Sequence, residues 1–163
     1  MARKSAVLIP VIAAAVAVGV LGIAFVPPEI KDRDTDFPKG TVRIGDDVVT
    51  VEIAETAAEK QRWMTFRQER LPLDTAMLIK HDASGLHEVW MLNVEYNLDL
   101  IWFDEAGKAV YLIRDAAPCE NVVETVSCTY KPTQQALYVM AATSGFIEEH
   151  GINVGSKLTI ISA

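Results

Sequence analysis

The sequence predicts a mainly β (α+β) domain, a compact β-barrel or sandwich of about seven or eight short strands with two short helices. One N-terminal transmembrane helix is predicted to precede it. Two observations lead to this class. Residues 41–163 contain short apolar segments separated by turn residues, whereas residues 6–26 form one uncharged apolar run. About 120 residues suffice for a single core of this kind.

The apolar run favours a membrane anchor. Ala6–Val26 comprises 21 residues without a charge, and about 20 apolar residues span a bilayer as a helix. Arg3 and Lys4 precede the run, and the nearest following acid is Glu29. By the positive-inside tendency, residues 1–5 remain in the cytoplasm and the rest of the chain lies outside the cytoplasmic membrane.

Two other interpretations of this run exist, a cleaved signal peptide and a buried core helix. Signal peptides usually have an apolar region of about 7–15 residues that ends at small residues. Here the run is longer and ends in Phe25-Val26, followed by Pro27-Pro28. These features favour retention of the segment as an anchor.

The charges divide between the two parts of the chain. All 22 acidic residues follow Pro28, together with 13 of the 15 basic residues, which gives that part a formal charge of −9. Because it contains no basic cluster, we exclude nucleic-acid binding. Residues 27–40 hold three prolines, a glycine and alternating charges, which predicts a linker, with the domain proper at residues 41–163.

Within the domain, alternation of apolar and polar residues predicts the strands and capping patterns predict the helices. The capping box of Thr56 and Glu59 predicts a helix from Ala57 to about Trp63, and residues 143–145 are predicted to cap a second helix that ends at His150. There, the imidazolium of His150 would oppose the helix dipole. The predicted strands are 41–44, 48–54, 76–80, 88–91, 99–103, 109–114, 135–141 and 158–161, with a turn at 82–85.

Cys119 and Cys128 are separated by eight residues. In an oxidising compartment we expect them to form a structural disulfide. A redox pair and half of a metal site are the alternatives. Redox motifs generally have two intervening residues and zinc sites need four ligands, so both alternatives fit less well.

The segment from Trp90 to Asp99 mixes aromatic and small polar side chains. Trp90 and Met91 stand near Asn93, and Asn97 precedes Asp99. An aromatic flank beside amide and carboxylate groups can hold a sugar or another small polar ligand. Alternatively, Trp90 and Met91 belong to the core and the polar residues form turns.

The sequence gives weaker evidence for metal binding and for nucleophilic catalysis than for a polar ligand site. His81, His87 and Met91 are residue types that bind transition metals. However, two histidines six residues apart across a predicted turn have no defined common face, so we predict no metal site and no cofactor. No serine has the glycine-flanked turn of a nucleophile.

Five motifs occur in a fixed order along the chain. They are Thr56, Glu59, Arg62 and Arg67; Ala76-Met77-Leu78; Trp90-Met91-Leu92-Asn93 with Asn97-Leu98-Asp99-Leu100; Ala117-Pro118-Cys119 with Cys128 and Tyr130; and Ser144-Gly145 with residues 151–155. Taken in this order, they resemble the family called domain of unknown function 192, whose members occur in bacteria and archaea and are often exported. The resemblance covers residues 48–161.

The chain departs from the family pattern at three positions. Leu92 replaces a lysine, Asn97 a proline and Trp63 a glycine. Any anion site that uses this lysine in relatives would therefore be altered here. Arg67 and Asp99 remain as candidates for a buried ion pair that organises the surface. The family has no established reaction, so the resemblance implies a fold and leaves the function open.

We therefore expect a membrane-tethered extracytoplasmic binding or accessory module rather than an enzyme. It would contact a small polar ligand or a membrane-protein partner through Arg67, Trp90, Met91, Asn93 and Asp99. One alternative is a cell-envelope enzyme with a polar site around Asn93, Asp99 and Arg67. Another is a metal carrier that uses His81, His87 and Met91.

Overall fold

The structure is a computed structural model that describes residues 37–119 and 127–162. These belong to the second of two units into which the chain divides, Asp36–Ala163. The predicted anchor at residues 6–26 lies outside the described residues. In the two described ranges, no helix combines the length and the apolar character needed to cross a membrane.

The described residues form nine strands and two short helices, which confirms a mainly β domain with two helices. The strands are β1 (Lys39–Ile44), β2 (Asp47–Ala54), β3 (Thr75–Gly85), β4 (Val89–Trp90), β5 (Leu98–Phe103), β6 (Ala109–Ala116), β7 (Thr129–Tyr130), β8 (Ala136–Thr143) and β9 (Leu158–Ser162). The helices are α1 (Ala57–Arg62) and α2 (Phe146–Glu149).

Seven strands form one sheet in the order β6-β5-β8-β3-β2-β1-β9, and β4 pairs with β7 in a separate ladder. Strands β2 and β3 are parallel and are connected through α1, whereas the other neighbours are antiparallel. The prediction of a barrel or sandwich is wrong, because the sheet is open, with β6 and β9 at its edges. These edges approach each other at one corner, where Lys108 and Lys157 form an isolated bridge.

Strand β5 lies inside the sheet and is buried on both faces. On one face, Leu100 and Trp102 belong to a core cluster that also contains Trp63 and Met91. On the other face, Phe103 belongs to a cluster with residues of α2. Because successive side chains of a strand point to opposite faces, this strand separates the two halves of the core and needs apolar residues on both sides.

The domain begins earlier than the predicted boundary at Thr41. Phe37 is only 5% exposed and belongs to the core, and the N–H of Ile53 donates to the carbonyl of Pro38 at 2.7 Å. A predicted linker up to Gly40 therefore includes residues that are folded. Proline and charge content indicated a linker there, but composition does not reveal that one phenylalanine is buried.

The predicted turn at residues 82–85 is also wrong, since β3 continues to Gly85. The pairing of β3 with β8 shifts register between Lys80 and Gly85, and resumes where Gly85 lies opposite Ala136. Polar residues in this stretch indicated a turn, whereas they occupy an irregular, largely exposed part of one long strand.

The capping box of α1 is confirmed. The Thr56 hydroxyl accepts from the N–H of Glu59 at 3.2 Å, and the Glu59 carboxylate accepts from the N–H of Thr56 at 2.8 Å. The predicted side-chain cap of α2 does not form, because its N-cap is Gly145. Instead, the Thr143 hydroxyl donates to the carbonyl of Leu71 at 2.6 Å, and an acceptor from β5 caps the helix, as described below.

A candidate ligand-binding cavity beside strand β4

A cavity of about 580 Å³ lies beside β4. Its walls come from α1 and the residues that follow it, from β3 and β8, and from β4 with the turn after it. The lining residues are Ala58, Lys60, Gln61, Arg62, Trp63, Thr65, Phe66, Ile79, His81, Glu88, Val89, Trp90, Leu92, Asn93 and Val139. Small-ligand sites typically have volumes of about 300–1,000 Å³ and combine apolar walls with a few polar groups.

Two aromatic rings of this cavity are exposed to solvent. The exposed fraction is 61% for Phe66 and 45% for Trp90, whereas that of Trp63 is 7%. Folding has therefore buried one aromatic ring at the cavity and left two others available. Exposed apolar groups that lie together beside a cavity are typical of interaction sites.

The backbone of the cavity wall adopts the left-handed conformation at two positions. Phe66 has φ of 60° and Asn93 has φ of 59°, in the left-handed region that bulky residues rarely adopt. The N–H of Phe66 donates to the carbonyl of Asn93 at 2.7 Å, so the two residues hold each other. At Phe66 this conformation costs about 1–2 kcal/mol, whereas asparagine adopts the left-handed region more readily. Such strain concentrates at functional sites, which makes this wall a candidate binding surface.

The turn after α1 explains how Phe66 reaches the cavity. The helix ends at Arg62, and its C-cap is Trp63, whose N–H donates to the carbonyl of Glu59 at 2.7 Å. Both the N–H and the hydroxyl of Thr65 then donate to the carbonyl of Arg62, at 2.9 Å and 2.8 Å. This tight turn buries Trp63 and leaves the ring of Phe66 exposed.

The predicted disulfide between Cys119 and Cys128 is confirmed, with an S–S distance of 1.96 Å and a Cα–Cα distance of 5.1 Å. Both cysteines also bind the backbone of Met91. The N–H of Met91 donates to the carbonyl of Cys128 at 3.1 Å, and the N–H of Cys119 donates to the carbonyl of Met91 at 3.2 Å. Since Met91 directly follows Trp90, the disulfide fixes the strand that presents this indole to the cavity.

Charged side chains of both signs line the cavity. They are Lys60 and Arg62 of α1 and, as the one carboxylate among the described lining residues, Glu88. Glu88 is paired with Lys131 at 2.6 Å. The partner of Lys60 is Asp82, at 3.6 Å, whose side chain is fully exposed. Exposed ion pairs of this kind contribute little energy.

His81 of β3 lines the cavity and stacks face to face on His87. The ring centroids of His81 and His87 are 3.4 Å apart and the planes differ by 2°, so the expectation that they share no common face is wrong. Nε2 of His87 lies 2.9 Å from the carbonyl oxygen of Ala83. Burial, together with the neighbouring His87, lowers the pKa of His81 to about 4. His81 is therefore neutral near pH 7.

The structure does not gather the residues considered for a metal carrier into one ligand set. Met91 is fully buried in the core, and His87 already contacts a backbone carbonyl. Across residues 37–119 and 127–162, no group of three or more His, Cys, Asp or Glu side chains is placed to hold a metal ion.

The five residues predicted to bind a ligand or partner occupy different places. Trp90 and Asn93 line the cavity, and Met91 is buried in the core cluster of that face. Arg67 and Asp99 do not contribute to the cavity lining. The ion pair between them is not formed, because the guanidinium of Arg67 binds the carboxylate of Glu52 through two hydrogen bonds.

Asp99 is 2% exposed, and its carboxylate accepts hydrogen bonds from three backbone N–H groups of the described residues. One carboxylate oxygen accepts from the N–H of Asp115 at 2.9 Å. The other accepts from Gly145 at 3.1 Å and Ile147 at 2.8 Å. Asp99 thus joins β5 to the end of β6 and to the start of α2, and its role in the described structure is to hold the fold.

Sequence reasoning did not join Lys60, Arg62, Phe66 and His81 into one site. A signal existed in the aromatic pair Trp63 and Phe66, three residues apart after a helix. One of two aromatics at that spacing was free to point away from the core. Nothing local, however, relates them to Trp90, because tertiary packing brings these segments together.

Comparison with known proteins identifies the family of this chain. The model of the domain of unknown function 192 family, described as uncharacterised ACR proteins, matches residues 40–160. The chain belongs to this family. The segments that carried the resemblance on either side of the cavity, around Arg62 and around Trp90-Asn93, are the segments that line it.

Two solved structures share the fold of this DUF192 domain. One is a candidate transcription regulator from Sinorhizobium meliloti, with a TM-score of 0.69, 19% identity, and coverage of 78% of this chain and 97% of the other. The second is a protein of unknown function from Novosphingobium aromaticivorans, with a TM-score of 0.68, 21% identity, and coverage of 78% and 89%. No curated protein matches the sequence. At these identities the likeness concerns the fold alone.

Proposed function

We propose that this DUF192 protein is a membrane-tethered extracytoplasmic binding or accessory module, and that the cavity beside β4 binds a small ligand. The observation that carries the proposal is the pair of exposed rings, Phe66 and Trp90, at the wall of a cavity of about 580 Å³. Leaving two large aromatic rings exposed forgoes burial energy that a purely structural role would use.

The backbone strain at Phe66 supports the same proposal. A glycine at this position would adopt the left-handed conformation without cost. The chain instead places an aromatic ring there, and Asn93, whose carbonyl accepts from the N–H of Phe66, lines the same cavity. Ring faces would give a ligand apolar contact, while Asn93 and Thr65 would orient it by hydrogen bonds.

The tether is the second part of the proposal. Residues 6–26 would cross the cytoplasmic membrane with residues 1–5 inside, and the binding domain would lie outside. The disulfide between Cys119 and Cys128 supports this placement, because such bonds persist in oxidising compartments and are rare in the cytosol. A ligand would then be a molecule of the cell envelope or its surroundings.

Selective retention of small molecules tests the binding role. The full-length chain, held in lipid nanodiscs, is incubated with a small-molecule extract of the cell envelope, and the retained compounds are identified by mass spectrometry. We expect at least one compound that the wild type retains and Trp90→Ala loses. Ile161→Ala is the matched control, since Ile161 is a large apolar residue, 51% exposed, that does not line the cavity. Identical retention by wild type and Trp90→Ala would contradict the proposal.

A further inference from the structure

We infer that the cavity beside β4 recognises a saccharide, a sugar ring whose flat C–H face stacks on an exposed aromatic ring and whose hydroxyl groups bind side-chain amides. This inference rests on the proposed binding function and adds the chemical class of the ligand. The aromatic rings are those of Phe66 and Trp90, and the amides are those of Gln61 and Asn93. All four residues line the cavity.

The exposure of the two rings suits a ligand that has an apolar and a polar side. Phe66 and Trp90 keep a large part of their surface in solvent, so a molecule that lies on them keeps its outer side in water. A wholly apolar ligand gains most in an enclosed cavity, because its binding energy grows with the apolar area removed from water. A sugar ring can instead bury a C–H face and leave its hydroxyl groups hydrated, which avoids the cost of burying polar groups.

The two amides supply the polar groups that hydroxyl groups bind. Gln61 lies on α1 and Asn93 lies in the turn after β4, and both are exposed. Within the described residues, neither amide side chain forms a hydrogen bond. A carboxamide has two donor hydrogens and an acceptor oxygen. Neighbouring sugar hydroxyls likewise donate and accept, so one amide can bind two of them.

The backbone that carries the rings is fixed before a ligand arrives. Trp90 pairs with Thr129 in the ladder of β4 and β7, and the linked cysteines bind the backbone of the next residue, Met91. The N–H of Phe66 donates to the carbonyl of Asn93, which joins one ring to one amide. An ordered surface loses little conformational entropy on binding. This matters for a sugar, because a sugar buries little apolar area.

Two other ligand classes fit these residues less well. A flat aromatic molecule would also stack on the rings, but it has few groups for the amides of Gln61 and Asn93. A proline-rich peptide also docks on aromatic side chains, but it binds along an extended groove. Here the rings and the amides surround one cavity. A saccharide uses both kinds of group at once.

Soluble oligosaccharides test the inference. Cellotetraose, maltotetraose and chitotetraose are titrated by calorimetry into the full-length chain in lipid nanodiscs. Sorbitol is the matched control, because it is an open-chain polyol with hydroxyl groups but no ring face. We expect at least one oligosaccharide to bind with a Kd below about 1 mM, and sorbitol to bind at least about tenfold more weakly. The tightest of the three identifies the preferred linkage and substituent.

Variants of Trp90 test the stacking. Trp90→Leu keeps an apolar side chain but has no flat face, and it should weaken binding of the tightest oligosaccharide about tenfold or more. Trp90→Phe keeps a flat ring and should bind within about threefold of the wild type. Ile161→Ala, which changes an exposed apolar residue outside the cavity lining, should leave the affinity unchanged. Circular dichroism confirms that each variant is folded.

Variants of the amides test the hydrogen bonds. Gln61→Ala and Asn93→Gly should each weaken binding about threefold or more, as expected for the loss of a hydrogen bond. Glycine is used at position 93 because it adopts the φ of 59° without strain. Gln68→Ala is the control, since Gln68 is an exposed glutamine outside the cavity lining, and it should bind like the wild type.

The outcomes separate this inference from the proposed function. The saccharide class is overturned if no oligosaccharide binds below about 1 mM, if sorbitol binds equally well, or if binding survives Trp90→Leu. Equal weakening by Trp90→Leu and Trp90→Phe would also overturn it, because only the first removes the flat face. In each case the binding role stands if the envelope extract yields a compound of another class whose retention depends on Trp90. The binding role falls only if no such compound is found.

Discussion

The carboxylate of Asp99 on β5 accepts a hydrogen bond from the backbone N–H of Ile147 on α2 at 2.8 Å. The N-cap of that helix is Gly145, which has no side chain to cap it, and its N–H also donates to Asp99 at 3.1 Å. A residue 48 positions earlier in the sequence thus supplies the cap. This long-range cap fixes α2 against one face of the sheet.

Asp99→Asn should lower the free energy of unfolding by about 2–3 kcal/mol. An asparagine keeps one acceptor oxygen and turns an NH₂ group toward backbone donors, and each buried donor that loses its acceptor costs about 1–3 kcal/mol. Urea denaturation followed by tryptophan fluorescence measures the change. Asp46→Asn, in the exposed turn between β1 and β2, should change stability by less than about 0.5 kcal/mol. Equal effects of the two substitutions would contradict the role of Asp99.

Phe66→Gly should be more stable than Phe66→Ala by about 1 kcal/mol. Both variants lose the ring, but only glycine adopts the φ of 60° without strain. Thermal unfolding of the pair measures the difference. Both should lose ligand retention, since the exposed ring is absent from each. If alanine proves as stable as glycine, the backbone of this wall is not strained.

The stability of the domain should fall as the pH rises above about 6.5, the ordinary pKa of histidine, because of His150. Its Nδ1 lies 2.8 Å from Asp47 and its Nε2 lies 2.7 Å from the carbonyl of Leu73, and only the imidazolium donates to both. Burial opposes the charged form, but the hydrogen bonds to Leu73 and Asp47 outweigh it and raise the pKa of His150.

The sign follows from proton linkage. Between the unfolded and the raised folded pKa, the folded state binds more protons, so stability declines as the pH rises through the folded pKa. Denaturation at several pH values between about 6.5 and 9 measures this, and His150→Gln should remove the decline. His81 has a pKa of about 4. Its protonation therefore changes stability only below about pH 6.5 and does not contribute to this decline. A wild type with flat stability over this range would refute the assignment.

Removal of the disulfide by Cys119→Ser with Cys128→Ser should lower stability by about 2–3 kcal/mol, as expected for a short loop. It should also weaken ligand retention, because both cysteines bind the backbone of Met91 beside Trp90. Calorimetric unfolding and the retention assay report the two effects. If the variant loses stability but retains ligand fully, the disulfide is not needed to position the cavity wall.

Local patterns predicted much of this fold. The hairpin of β1 and β2, the capping box of α1 and the hairpin of β5 and β6 follow from contacts within a few residues. The position of β8 between β5 and β3 depends on partners far apart in sequence. The predicted side-chain cap of α2 was wrong for the same reason. The acceptor that caps this helix is Asp99 on β5, which is far from α2 in the sequence.

The candidate site was predictable in part. Trp90 and Asn93 stood out because an aromatic ring beside a carboxamide is typical of ligand contacts, and both line the cavity. Arg67 and Asp99 had the right chemistry for a pair, but each finds nearer partners, Glu52 and backbone N–H groups. The charge of a side chain does not determine which of several possible partners it binds.

Fluorine NMR tests the central claim most directly. The chain contains three tryptophans, of which Trp63 and Trp90 line the cavity and Trp102 is buried in the core. The full-length chain labelled with 5-fluorotryptophan is titrated with the envelope extract. Trp90→Phe and Trp63→Phe assign two resonances, and the third belongs to Trp102. The account predicts that the Trp90 resonance shifts first and most, that Trp63 follows, and that Trp102 stays in place. Three unmoved resonances, or a shift of Trp102 alone, would contradict the assignment of this cavity as a binding site.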